Sequence, residues 1–163
     1  MKLDEIAASG SGGGDLVYAG GVTCYFMVSG YEFDPDNFLE RSGLTHPTLR
    51  VWRKGEESLR PGVLHSNSGI DIKVSEANGD TFDDQVIEAI AFLKDQWTAL
   101  GHLSAVMGNA DTAPAVYLEF YIEDRDVGLQ VDNFPSELLR LAGNLDIGID
   151  VSRLHWSMPD DGE

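Results

Sequence analysis

The side chains able to do chemistry in this sequence are scattered rather than grouped. Histidines stand at His46, His65, His102 and His155, and no two share the short spacing by which one helix or loop offers paired imidazoles to a metal. Asp34, Asp36 and Asn37 open like a calcium loop, but Leu39 occupies the sixth position, where that loop needs Gly, and Thr45 the twelfth, where it needs Glu. Capping of a helix by Asp34 explains the same residues better. Cys24 lies inside an apolar strand rather than at a helix start, so it reads as a buried, inert thiol, and no Gly-x-Ser-x-Gly nucleophile elbow occurs. The glycines between Ser9 and Gly21 follow no strand and precede no Gly-Lys-Ser/Thr, which removes a phosphate loop. With 28 acidic residues, carboxylate pairs can be assembled in any arrangement and discriminate nothing. No catalytic residue, metal site or cofactor is expected.

What remains is binding chemistry. Trp52, Arg53 and Lys54 place a stacking surface beside two cations, and two readings stand. In one, Trp52 packs over a sheet edge while Arg53 and Lys54 pair with local acids such as Glu56 and Glu57. In the other, Arg53 anchors a carboxylate or phosphate of a ligand, with Trp52 stacking on it. Arg50, Arg53, Lys54 and Arg60 hold four of the eleven basic residues and make the one local cationic patch. Elsewhere acids dominate, and the formal charge is −17. That charge opposes binding to nucleic acid or anionic membrane, whose phosphates need Lys and Arg, and suits either a solvated surface or attraction to a basic partner protein.

The elements that position these residues follow from local signals. At 163 residues and 42% hydrophobic content, the chain fits one domain with a real core. Residues 1–21 read as a flexible Gly/Ser-rich arm, 22–154 as the domain and 155–163 as an acidic tail. Val22–Ser29 is apolar on both faces, as a central strand is. Asp34 before Pro35 starts a short helix that Gly43 closes, and His46-Pro47 bars its continuation into the strand Leu49–Arg53. Residues 54–67 read as a loop, and 69–75 alternate with Ile70, Ile72 and Val74 inward and Asp71, Lys73 and Ser75 outward.

Thr81 is expected to cap a long central helix, with Phe82, Val86, Ile90, Leu93, Trp97 and Leu100 as its apolar stripe and Gly101 as its end. Residues 107–114, with Gly108 and Asn109, read as a loop. Val116–Ile122 is a strand, and Asp124-Arg125-Asp126 predicts a hairpin turn into a further strand, Val127–Val131. Asp132-Asn133-Phe134-Pro135 opens a helix through Leu138, Leu139 and Leu141, closing near Gly143. Leu145, Ile147, Ile149 and Val151 then alternate inward along a last strand.

The segments beginning Asp36-Asn37-Phe38 and Asp132-Asn133-Phe134 echo one another, each opening a helix between two strands. The fold class expected is α+β: a mainly antiparallel sheet with helices on one face, two strand–helix–strand halves joined by the long central helix. The open face would present Tyr25, Met27, Lys73, Tyr117, Glu119, Tyr121, Asp146 and Asp150. Aromatics among charges suit an interaction surface, and edge-of-core packing fits them equally.

The strand Tyr25–Val28, the Phe33-Asp34-Pro35-Asp36 start, the Gly43-Leu44 ending and the Trp52-Arg53-Lys54-Gly55-Glu56 segment resemble a widespread bacterial family catalogued as a domain of unknown function. The likeness spans about residues 22–152, and the Gly-rich arm is where this chain departs from it. The resemblance implies no reaction, and it implies that some members occur among immunity proteins that neutralise toxins. The expectation is a cytoplasmic, non-enzymatic protein that inhibits a basic toxin, with Tyr25, Tyr117, Tyr121, Trp52, Arg53 and Lys54 as candidate binding residues. An anion- or small-molecule-binding module built on Trp52, Arg53 and Lys54 is the alternative, and an enzyme of unrecognised type the third reading.

Overall fold

The computed structural model describes residues 23–107, 111–125 and 127–154. The expected arm, Val22, Gly108, Asn109, Asp126 and the tail with His155 lie outside the described residues. Strand β1 (Cys24–Gly30) leads into helix α1 (Pro35–Ser42) and strands β2 (Arg50–Trp52) and β3 (Ser68–Lys73). Helix α2 (Phe82–Asp95) and the single turns α3 (Trp97–Leu100) and α4 (Leu103–Val106) follow. Strand β4 (Ala115–Glu123), helix α5 (Ser136–Asn144) and strand β5 (Gly148–Leu154) complete the fold.

The five strands form one sheet in the order β2-β3-β1-β4-β5. β1 lies antiparallel to both β3 and β4, and β2 antiparallel to β3, whereas β5 runs parallel to β4. Both strand–helix–strand halves are present. In the second, β4 and β5 are neighbours; in the first, β3 inserts between β1 and β2. β1 is apolar on both faces because both are covered, and its central place follows.

One face carries the main core. Cys24, Phe26, Val28, Ile70, Ile72, Leu118, Phe120 and Ile122 point into it, and Phe38, Val86, Ala89, Leu93 and Leu138 come down from the helices. Phe82, Phe120 and Phe134 form an edge-to-face triangle with centroids 5.2–5.8 Å apart. α1 is built as its sequence dictates: Asp34 Oδ1 accepts from Asn37 N at 3.1 Å, Pro35 fills the first position, and Gly43 at φ 66° donates its N–H to the Leu39 carbonyl.

Several expectations are corrected. The long central helix ends at Asp95, because Gln96 leaves helical geometry at φ −94°, ψ 11° and the chain restarts as separate turns. Its buried face includes Gln85, Ala89 and Phe92, while Trp97 is exposed. Gln85 is buried as a strut, its Nε2 donating to the carbonyls of Asn78 at 2.8 Å and Tyr121 at 3.0 Å. Thr81 stands at the N-cap without capping, since its hydroxyl donates to the Asn78 carbonyl at 3.0 Å.

The hairpin after β4 does not form. Residues 127–131 make no strand; Gln130 instead folds the loop back, accepting from Arg125 N at 2.9 Å and donating to the Glu123 carbonyl at 3.2 Å. β5 takes the place beside β4. The helix expected from Asp132 starts at Ser136, and the Asp132 carboxylate accepts from Arg153 Nη2 at 2.8 Å. Finally, Leu145 and Ile147 are buried ahead of β5 rather than within it, Asp146 between them turns the chain at φ 55°, and Val151 is exposed.

Candidate functional site

The second face of the sheet gathers most of the candidate residues. Strand alternation puts Tyr25 and Met27 of β1 on the side away from the helices, and the register sets Tyr25 opposite Glu119 and Lys73, and Met27 opposite Tyr117 and Asp71. Tyr25, Met27 and Trp52 form a second apolar cluster with Tyr117 and Tyr121 packed against it. Among the described residues no helical side chain enters that cluster. Tyr25 meets Tyr121 edge to face, centroids 6.2 Å apart at 89°.

Tyr25 and Met27 at the centre are only 2% exposed, so the accessible parts of this face flank them: Arg50 and Lys73 toward β2 and β3, and the β4–β5 half. There Tyr117, Glu119, Tyr121 and Ser152 are half-buried and Asp150 is exposed. Ser152 Oγ donates to Glu119 Oε1 at 2.8 Å, and Asp150 stands opposite Glu119. Burial pushes the Tyr117 phenol up to about 12, with Glu119 and Asp150 adding to the shift. Burial also raises Tyr25 to about 12, partly opposed by Arg50. Both phenols therefore stay protonated at neutral pH as hydrogen-bond donors, and the chemistry offered is stacking, neutral hydroxyls and carboxylates.

An ion pair that sequence reasoning missed lies across the same face. Arg50 Nε and Nη2 donate to Asp71 Oδ1 and Oδ2, both at 2.8 Å, in a forked pair. Asp71 was expected to point outward to solvent, yet its side chain is 1% exposed. Its carboxyl is held above the usual carboxylate range by burial, with Arg50 opposing. The signal available was the cross-strand placement of Arg50 opposite Asp71, which depends on the β2–β3 register.

Trp52 belongs to the aromatic cluster, whereas Arg53 and Lys54 do not. The indole lies over Gly69, donates from Nε1 to Asn67 Oδ1 at 3.1 Å, and has the His65 ring 6.0 Å away. Arg53 turns to α1, where Nε and Nη2 fork onto Asp36 at 2.7 and 2.6 Å, while Glu56 accepts from its backbone N at 3.2 Å. Lys54 sits with Nζ 3.2 Å above the Tyr31 ring. The sequence thus joined residues that the fold divides into an aromatic face and a braced corner.

The remaining candidates are structural. His46 contacts Thr48 Oγ1 at 2.9 Å and meets Phe92 edge-on at 5.9 Å. Cys24 is fully buried, which pushes its thiol well up. Among the described residues no three His, Cys, Asp or Glu side chains are grouped to hold a metal ion. A separate concavity of about 350 Å³ opens at the start of α2, lined by Asp80, Phe82, Asp83, Asp84, Ile122 and Val131 among others.

These features define a class: a single α+β sheet protein with one face closed by helices and an aromatic second face. A protein-family model described as a domain of unknown function, DUF4279, matches residues 21–155, and the chain belongs to that family, as the sequence resemblance implied. No curated protein and no solved structure matches it. No helix among the described residues is long and apolar enough to cross a membrane.

Proposed function

We propose that this is a non-enzymatic bacterial protein of the cytoplasm that binds a basic partner protein, as an immunity-type inhibitor of a toxin does. The observation that carries the reading is the formal charge of −17 together with carboxylates on the accessible aromatic half of the second face. Glu119 and Asp150 beside Tyr117 and Tyr121 combine what steers a cationic surface inward with what anchors it on contact. An anion-binding role for Arg53 would have to break its fork to Asp36, which makes it the lesser reading.

The test is capture from a bacterial host lysate at low salt, followed by titration of the purified chain with the captured protein and co-expression of the two. A single basic protein that is toxic alone, neutralised by the chain, and bound less tightly by Tyr117→Ala and Asp150→Asn supports the reading. A captured protein whose affinity ignores both substitutions and salt removes this face from the proposal.

A further inference from the structure

Asn78-Gly79 is the one place in the sequence where Asn precedes Gly. In that pair an asparagine side chain can close on its own backbone, because the following residue has no Cβ to hinder the approach. The pair lies between β3 and α2. The Asn78 side chain is exposed and makes no hydrogen bond among the described residues. The Gly79 N–H donates to nothing there either, although the Gly79 carbonyl accepts from Glu123 N at 3.2 Å.

The carbonyl of the same peptide group is crowded with donors. Asn78 O accepts from Thr81 N at 3.1 Å, Thr81 Oγ1 at 3.0 Å and Gln85 Nε2 at 2.8 Å. Gln85 is buried, and its Nε2 also serves the Tyr121 carbonyl, so a turned amide would set its oxygen against both carbonyls. Its role as a donor is committed. Three donors on one carbonyl draw electron density out of the Asn78–Gly79 amide. They make its N–H more acidic and stabilise the oxyanion left when the proton goes, as an oxyanion hole does.

We propose that Asn78 is a site of self-modification promoted by the fold, its side chain closing on Gly79 N to form an imide that opens to isoaspartate. Water or hydroxide takes the Gly79 amide proton, the nitrogen attacks Asn78 Cγ, and the Cγ–Nδ2 bond breaks as ammonia departs with a proton. Water then adds to one of the two imide carbonyls, and the bond from that carbon to Gly79 N breaks as the nitrogen regains a proton. In sum water enters and ammonia leaves, with no net oxidation. The three donors polarise the backbone carbonyl rather than the side-chain one, so opening is favoured there and the chain comes to run through Cγ. The freed carboxylate stays with Thr81 and Gln85 at the start of α2, where the helix dipole favours an anion. The extra backbone carbon shifts the segment that Gln85 ties to Tyr121 of β4.

Incubation of the full chain at neutral pH, folded and in denaturing urea, tests this. Peptide mapping by mass follows loss of the Asn78 amide, and enzymatic methylation counts isoaspartate. The folded chain is expected to convert faster than the unfolded one and to give the larger share of isoaspartate. Thr81→Val keeps the N–H and loses the hydroxyl. Thr81 is exposed, so the variant should keep the wild-type thermal midpoint. It should convert about fivefold more slowly when folded, the factor that one net hydrogen bond carries, and at the wild-type rate in urea. A folded wild type that converts no faster than the unfolded chain would mean that the donors pin the loop instead of activating it, and overturns the proposal. So does a folded Thr81→Val that reacts at the wild-type rate.

Discussion

The Arg53 guanidinium is forked onto the Asp36 carboxylate, joining the end of β2 to the first turn of α1. Asp36 belongs to the Asp-Pro-Asp helix start and Arg53 to the Trp-Arg-Lys-Gly-Glu segment, so the two stretches that mark this sequence hold each other. The fork keeps Asp36 below the usual carboxylate range. A carboxylate with a depressed folded value contributes stability above the ordinary Asp range and loses it as pH falls through the folded value. Asp36→Asn and Arg53→Ala should therefore lower the thermal midpoint slightly and by similar amounts, and the double variant should add little. Arg53→Lys should fail to restore it, since an ammonium cannot fork. If Arg53→Ala alone mattered, the corner would serve something other than this pair.

Arg50 and Asp71 should behave in the opposite sense. Burial lifts Asp71, so its folded carboxyl keeps a proton to higher pH than the unfolded one, and its contribution fades as pH rises through the folded value. Arg50→Ala removes the opposing cation and should cost about 2 kcal/mol at neutral pH, below the fully buried case because the Arg50 side chain is 40% exposed. In mild acid the deficit should shrink. Arg50→Met with Asp71→Leu should recover most of it, as denaturant midpoints at the two pH values would show.

Gly69 exists for Trp52. A Cβ there would overlap the indole, 2.6 Å from Cη2, and stand 2.6 Å from the Val28 carbonyl oxygen. Gly69→Ala is expected to cost about 3 kcal/mol by overpacking, and Trp52→Leu in the same chain should return part of that by vacating the space. Chemical denaturation of the wild type and the two variants settles the order.

Cys24 provides a readout of global unfolding. Burial raises its thiol far from thiolate, so the native protein should resist a thiol reagent and react only after unfolding. The labelling rate should track denaturant concentration along with the loss of tertiary structure. Fast labelling under native conditions would mean that β1 opens locally.

Much of the fold was legible because its signals are local. Asp34-Pro35 and Gly43 bound α1 by cap chemistry alone, and the two-faced apolarity of β1 announced a central strand. The missing hairpin was not legible: Val127, Leu129 and Val131 alternate as a strand would, and only competition with β5 for the edge of β4 decides the matter. The same applies to the candidate site. A period of two grouped Tyr25, Tyr117 and Tyr121 correctly, since alternation is a property of each strand. Arg53 and Lys54 parted from Trp52 because their partners, Asp36 and Tyr31, lie in distant sequence and become neighbours only through tertiary packing.

The central place of β1 bears on how the chain is made. During synthesis this most apolar strand emerges ahead of both its neighbours, and Met27 waits for Asp71 on one side and then for Tyr117 on the other. Contacts so remote in sequence close slowly, and an unpaired apolar strand is the species that nascent chains aggregate through. Yield in a cell should then depend on what shelters β1 until β4 arrives, and a chaperone-depleted host should lose this protein to inclusion bodies even though the finished sheet is stable.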